Sequence, residues 1–257
     1  MDSTDGDSYA IVLNAESDPR TGGLAICGFS TAGMVGSIAA YHVIRSLDLD
    51  EVGTVLHHDF PALALVEDSV PRHPVRVYQG DGVGVFIAEV AFPKSQDVTF
   101  ANTVLDWFTK GEYDSLVIID GLVRQGGDEQ GGPGLYGVGS SSKTRDVLAK
   151  YGVESIRRGV VAGIAGYLLA EGHRRGLEVT ALLAECDAMF PDPKAAATAI
   201  EAIAEMTGLD LELHELLGQA HEFDASLREA LAQRMVKLPA PADVEDQRFD
   251  EQDPMVG

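Results

Sequence analysis

The chain has 257 residues, of which 45% are hydrophobic and 23% charged, a length and balance that suit one large α/β domain or a domain with a small helical addition. Against 19 Lys and Arg stand 41 Asp and Glu, so the formal net charge is −22. A surface this anionic repels phosphate backbones and anionic lipid heads, which argues against nucleic acid and membranes as partners.

Residues 1–8 are polar and read as a disordered N-terminus, and 9–211 read as an α/β domain. Leu24 to Phe29 is an apolar run of the kind that forms a buried strand. Gly33 to Gly36 then opens a helix reaching about Leu47, with Ser37, Tyr41 and Arg45 four apart on one polar stripe. Val52 to Leu56, Val75 to Tyr78 and Val83 to Val90 read as strands, the last two joined by a turn at Gly80-Asp81-Gly82. Phe100, Ala101, Val104, Leu105 and Phe108 give a helix over 97–110 its apolar face, with Gly111 at its end.

Leu116 to Ile119 is an all-apolar strand suited to the middle of a covered sheet. Residues 121–139 hold eight glycines and read as a long loop, either a lid or a mobile surface segment. A helix near 142–150 follows. Gly159 to Gly166 leads into another helix, which ends at His173-Arg174-Arg175 and suits the negative end of its dipole. After a strand over Val179 to Ala184, Asp192 caps a helix with Pro193 in its first turn and Gly208 beyond its end. A last helix is expected over 212–236, followed by a Pro- and acid-rich disordered tail over 237–257. Strands alternating with helices argue for an α/β sheet with helices on both faces.

The strand-to-helix turn at Gly28-Phe-Ser-Thr-Ala-Gly33-Met-Val-Gly36 is the first place to look for chemistry. Such a turn can hold an anion on backbone N–H groups, with Gly33, Met34 and Gly36 as its residues. The nucleotide fingerprints fail here. Met34 and Val35 stand where a phosphate-binding loop needs Lys and Ser or Thr, and Thr31 stands where the dinucleotide motif needs its first glycine. Close helix-to-sheet packing explains the glycines better. Gly159 to Gly166 has apolar flanks and the same reading.

His57-His58-Asp59 invites a metal, but neighbours on a strand point to opposite faces, so His57 and His58 are not expected to share an ion. His58 with a distant carboxylate remains as an alternative. His42, inside a helix, reads as a hydrogen-bonded core histidine. Cys27 and Cys186 are the only cysteines, too few for a disulfide framework, and they read as buried thiols. Ser140-Ser-Ser-Lys143 lacks the companion motifs of an acyl-transfer enzyme and reads as a helix start. In the last helix Leu213, Leu216, Ala220, Phe223 and Leu227 follow 3–4 spacing, which makes either a helix packed on its own domain or a seam for another subunit.

Taken in order, Gly28 to Gly36, Asp59-Phe60-Pro61, Pro74 to Tyr78, Val117 to Gly121, Gly159 to Gly166 and the Asp192-Pro193 helix resemble the proteasome assembly chaperone family in its archaeal branch. The resemblance covers roughly 10–220. It implies a three-layer α/β/α sandwich with a mixed, mostly parallel sheet, similar to phosphorylase/hydrolase-like folds. It also implies a non-catalytic oligomer that binds proteasome α-subunits, with no cofactor and no metal. Some relatives dock through a C-terminal tail with a penultimate Tyr. Val256 stands at that position here and departs from the pattern. The competing reading is a small-molecule binder or a hydrolase- or phosphorylase-type enzyme using the turns at 28–36 and 159–166.

The acidic, Lys-poor surface, with six Lys in the whole chain, also suits a salt-loving source, where the Debye length shrinks to about 3 Å at 1 M and self-repulsion fades. The acidic start at Met1 to Asp7 lacks the pattern of a signal peptide, and no apolar run approaches the roughly 20 residues of a membrane span. A cytoplasmic location is the expectation.

Overall fold

The computed structural model describes residues 9–15, 18, 20–67, 69–91, 93–124, 133–214, 216 and 218. The expectations for 1–8, for the middle of the glycine-rich segment, for the last helix beyond 218 and for the tail at 237–257 lie outside the described residues. All described residues fall in the first of two units, Met1–Ala220, and the second is His221–Gly257.

The strands are β1 (Ala10–Leu13), β2 (Leu24–Phe29), β3 (Asp50–Leu56), β4 (Leu65–Glu67), β5 (Val70–Arg72), β6 (Val75–Gly80), β7 (Val83–Ala88), β8 (Ser115–Val123), β9 (Leu135–Gly139), β10 (Glu154–Ser155) and β11 (Val179–Cys186). The helices are α1 (Val35–Ser46), α2 (Asp97–Lys110), α3 (Ser142–Lys150), α4 (Gly163–Arg175) and α5 (Pro193–Thr207). Nine strands form one sheet in the order β1-β3-β6-β7-β2-β8-β11-β9-β10, and β4 and β5 form a separate hairpin.

The apolar runs at 24–29, 83–88, 116–119 and 179–184 become the middle of this sheet, where β7, β2, β8 and β11 run parallel. Side chains alternate between the two faces, as the twofold strand period requires. Ala25, Cys27, Leu116, Ile118, Ala181 and Leu183 enter one core with Phe100, Val104 and Leu105 of α2 and Ile164 and Leu168 of α4. Ile26, Val117, Ile119, Leu182 and Ala184 enter a second core with Val35, Ala39 and Val43 of α1 and the alanine-rich side of α5. The result is a mixed α/β sheet bearing helices.

The expectation of a mostly parallel sheet is corrected. Antiparallel pairs, β1–β3, β3–β6, β6–β7 and β9–β11, match the parallel ones in number. The reason is local at β6–β7. Asp81 and Gly82 both take positive φ, 45° and 77°, and such a two-residue turn returns the chain beside itself with no room for a crossover helix. The 121–139 segment is likewise not all loop, because β8 runs on to Val123 and β9 occupies Leu135–Gly139. Of the serines at 140–142, Ser141 caps α3 by accepting the Thr144 N–H at 3.1 Å. Among the described residues no helix is long and apolar enough to cross a membrane.

The glycines at 28 and 36 decide how deep α1 sits. A Cβ at Gly36 would lie 2.5 Å from the Ile119 carbonyl oxygen and 2.7 Å from the Phe29 nitrogen, and a Cβ at Gly28 would overlap the Gly36 carbonyl. These neighbours are backbone and cannot swing away. Gly36→Ala is therefore expected to destabilise the protein by about 3 kcal/mol. Gly208→Ala is a left-handed helix end with open space around it and should cost only about 1 kcal/mol. Urea midpoints of the two variants check this order, and equal costs would refute the packing account.

Candidate functional site

The carboxyl ends of β2, β8 and β11 lie side by side, the place where open α/β sheets leave a crevice. Here the chain leaves β2 through Ser30 and Thr31 and enters α1. Gly33 and Met34 both take left-handed backbone, with φ of 61° and 51°. Gly33 packs on Cys186, and its carbonyl accepts the Asp192 N–H at 2.7 Å. Of the three residues proposed for an anion, Gly33 and Gly36 are buried against the sheet. Only Met34 faces outward; its side chain is a thioether, and its backbone N–H donates to the Thr31 carbonyl at 3.1 Å.

Beside this turn Thr31 donates its hydroxyl hydrogen to Asp120 Oδ1, which also accepts the Gly121 N–H at 2.8 Å. Burial raises the Asp120 carboxyl above its ordinary range, against the pull of these two donors. Cys186 is pushed up to about 11, first by burial and then by Asp192, Asp120 and Asp187. Burial alone pushes the Cys27 thiol well up. Reactive thiols need the opposite environment, so both act as packing groups.

Alongside α1 lies a cleft of about 530 Å³. The stripe that the sequence marks as polar, Ser37, Tyr41 and Arg45, forms one wall with Met34 at its head. The segment following α5 forms another, with Asp210, Glu212, His214 and Leu216. Ser37 itself is buried and donates to the Met34 carbonyl at 3.1 Å. Tyr41 donates to Glu67 of the β4–β5 hairpin, which burial and that carboxylate answer by raising the phenol. Arg72 of the same hairpin pairs with Glu51, which also accepts from Tyr78 at 3.2 Å. His42 is buried and shares a hydrogen bond with Ser46 at 3.2 Å, as a core histidine should.

Glu89 also lines the cleft and pairs with Arg76, a guanidinium on β6 only 2% exposed. Burial raises the Glu89 carboxyl, and Arg76 opposes that. Neither residue was marked as a site from the sequence. The signal was available, since Arg76 interrupts an otherwise apolar strand.

Leu213 and Leu216 pack into the second core, Leu216 being buried, whereas Ala220, Phe223 and Leu227 lie outside the described residues. Sequence reading also missed the exposed apolar groups around the strand ends. Met34, Val123, Met189 and Phe190 all face solvent, Met189 at 82%. His57-His58-Asp59 follow the end of β3 at Leu56, so strand alternation does not separate them, and one ligand atom from each lies within 4.8 Å of the others.

Comparison with known proteins gives four findings. The model of the PAC2 family matches residues 25–231. A curated protein of Methanocaldococcus jannaschii, named only as uncharacterized, is 26% identical over 215 residues, covering 84% of this chain and 87% of its own. The crystal structure of Pyrococcus furiosus PbaA, described as an archaeal homolog of proteasome-assembly chaperone, superposes with a TM-score of 0.80 at 27% identity, covering 89% of this chain and 94% of that one. Pyrococcus furiosus PbaB, described as an archaeal proteasome activator, shares the fold with a TM-score of 0.72 at 23% identity, covering 87% and 99%.

Two outcomes follow from the site's chemistry. Both thiols should resist a thiol-specific disulfide reagent at pH 8 in the native protein and react within the mixing time once it is unfolded. A fast native phase would contradict their raised pKa values. Removing one member of a buried pair strands the other, so Glu89→Ala should cost about 3–5 kcal/mol, while Arg76→Met with Glu89→Leu should recover most of that. Denaturant unfolding of the three proteins measures the difference.

Proposed function

The chain belongs to the PAC2 family, and on that premise we propose that it is a non-catalytic, oligomeric chaperone or scaffold that binds proteasome α-subunits. The observation that carries this reading is the match to PbaA over nearly the whole length of both chains. We read the arrangement as a three-layer α/β/α sandwich of the phosphorylase/hydrolase-like kind. For the contact with a second copy we take the 3–4 pattern of Leu213, Leu216, Ala220, Phe223 and Leu227 in the sequence, against the alternative of a helix packed on its own domain, which the burial of Leu216 favours.

The exposed apolar groups at Met34, Val123, Met189 and Phe190 support protein binding at the strand ends. The chain is read as cytoplasmic and adapted to high salt. Charge steering is then screened, and partners meet through apolar contact. The small-molecule reading keeps one specific support, the cleft in which Tyr41, Arg45 and Glu89 converge.

Native mass spectrometry of the protein, alone and with proteasome α-subunits from the same source, tests the proposal. A defined homo-oligomer that takes up α-subunits supports it, and an oligomer that ignores them shifts the weight to the cleft. Met189→Glu with Phe190→Glu should weaken α-subunit binding about tenfold or more without changing the melting temperature. Affinity should change little between about 1 M and 3 M KCl, since charges are already screened over that range. A steep loss with salt would refute apolar contact as the basis of binding.

A further inference from the structure

His57 lies just past β3, where the chain turns, and its side chain is only 1% exposed. Its ring stacks on Tyr9 at 4.1 Å and lies 4.4 Å from the ring of His58. The Asp59 N–H donates to His57 Nδ1 at 3.2 Å, so Nδ1 presents a lone pair toward the turn and the ring hydrogen sits on Nε2. That Nε2 is buried and has no hydrogen-bond partner among the described residues. Asp59 Oδ2 is 3.9 Å from His57 Nδ1, and Asp59 Oδ1 is 3.2 Å from His58 Nε2.

Gln96, in the short 3₁₀ turn before α2, reaches across and donates from Nε2 to Asp59 Oδ2 at 3.1 Å. Its Oε1 is buried and also without a partner. Unpartnered buried side-chain atoms among the described residues are four, and the other two belong to guanidinium groups already in ion pairs. The two uncharged ones therefore both lie at the Asp59 turn.

We propose that His57 Nδ1, His58 Nε2 and the Asp59 carboxylate bind a divalent cation of the zinc type. Two imidazoles and a carboxylate suit zinc and its neighbours rather than magnesium or calcium, which prefer all-oxygen sets. Bonds of about 2.0–2.2 Å place tetrahedral ligands about 3.4 Å apart. The two separations from Asp59 are 3.9 and 3.2 Å and all three ligand atoms lie within 4.8 Å, so closing on a cation takes rotation of His58 and Asp59 and a shift of the Asp59 backbone away from His57 Nδ1. The cation replaces one long hydrogen bond at Nδ1, and the released amide belongs to an exposed residue, Asp59. Gln96 then holds the carboxylate in place, and the remaining position takes water. Such a site pins the end of β3 to the start of α2 and to Tyr9.

The full chain, stripped with chelator and dialysed, is titrated with cobalt(II) followed by its visible bands, and with zinc by competition. The expected result is one equivalent bound with nitrogen and oxygen ligation, and a melting temperature raised by zinc. His58→Ala and Asp59→Asn alter exposed groups and should each weaken binding about tenfold or more and abolish the zinc-dependent rise. His57→Phe keeps the stack on Tyr9 and should do the same. If that variant fails to fold, the other two decide. Wild-type protein that binds neither ion, or variants that bind as tightly as wild type, would overturn the proposal.

Discussion

The approach of α1 to the sheet is the constraint on which the rest of the molecule hangs. Gly28 on the strand and Gly36 on the helix leave backbone facing backbone, so α1 lies closer than any side chain would permit. That depth sets the place of α5, whose alanine-rich side packs on α1 in the second core. It also sets the left-handed entry at Gly33 and Met34, which brings Gly33 onto Cys186 and ties the loop after β11 to the helix start through Asp192. A glycine turn that resembles a phosphate cradle in the sequence is thus filled by the protein's own main chain.

Next to this apolar joint the molecule carries a dense polar network. Arg76 is buried on β6 and is held by Glu89, while Glu51, Glu67, Arg72, Tyr41 and Tyr78 link the β4–β5 hairpin to α1 and β3. Buried charges are expensive unless paired, so this network fixes positions more than it adds stability. It also makes the wall of the cleft rigid and charged, in contrast to the apolar groups exposed at the strand ends. The proposed partners differ accordingly, another protein at the strand ends and a polar group in the cleft.

The cation site proposed at the Asp59 turn is independent of both. It depends on a strand that stops one residue before His57, so that two imidazoles and a carboxylate gather in a turn instead of pointing apart.

Much of this was legible in the amino-acid order. The four apolar runs of the central sheet, the amphipathic stripe of α2, the Asp192 cap of α5 and the turn at Asp81-Gly82 all rest on local chemistry, and local chemistry is what sequence records. The burial of Cys27 and the core role of His42 follow from the same apolar surroundings. What the sequence could not show is which strands neighbour each other, because pairing joins residues far apart in the chain. Only the tertiary structure put antiparallel strands on both sides of the parallel block, and turned part of a glycine-rich segment into β9. It alone matched Arg76 with Glu89 and gathered Met34, Val123, Met189 and Phe190 around one end of the sheet. It also ended β3 at Leu56, and that single boundary decides whether His57 and His58 face apart or together, since a strand alternates its side chains and a turn does not.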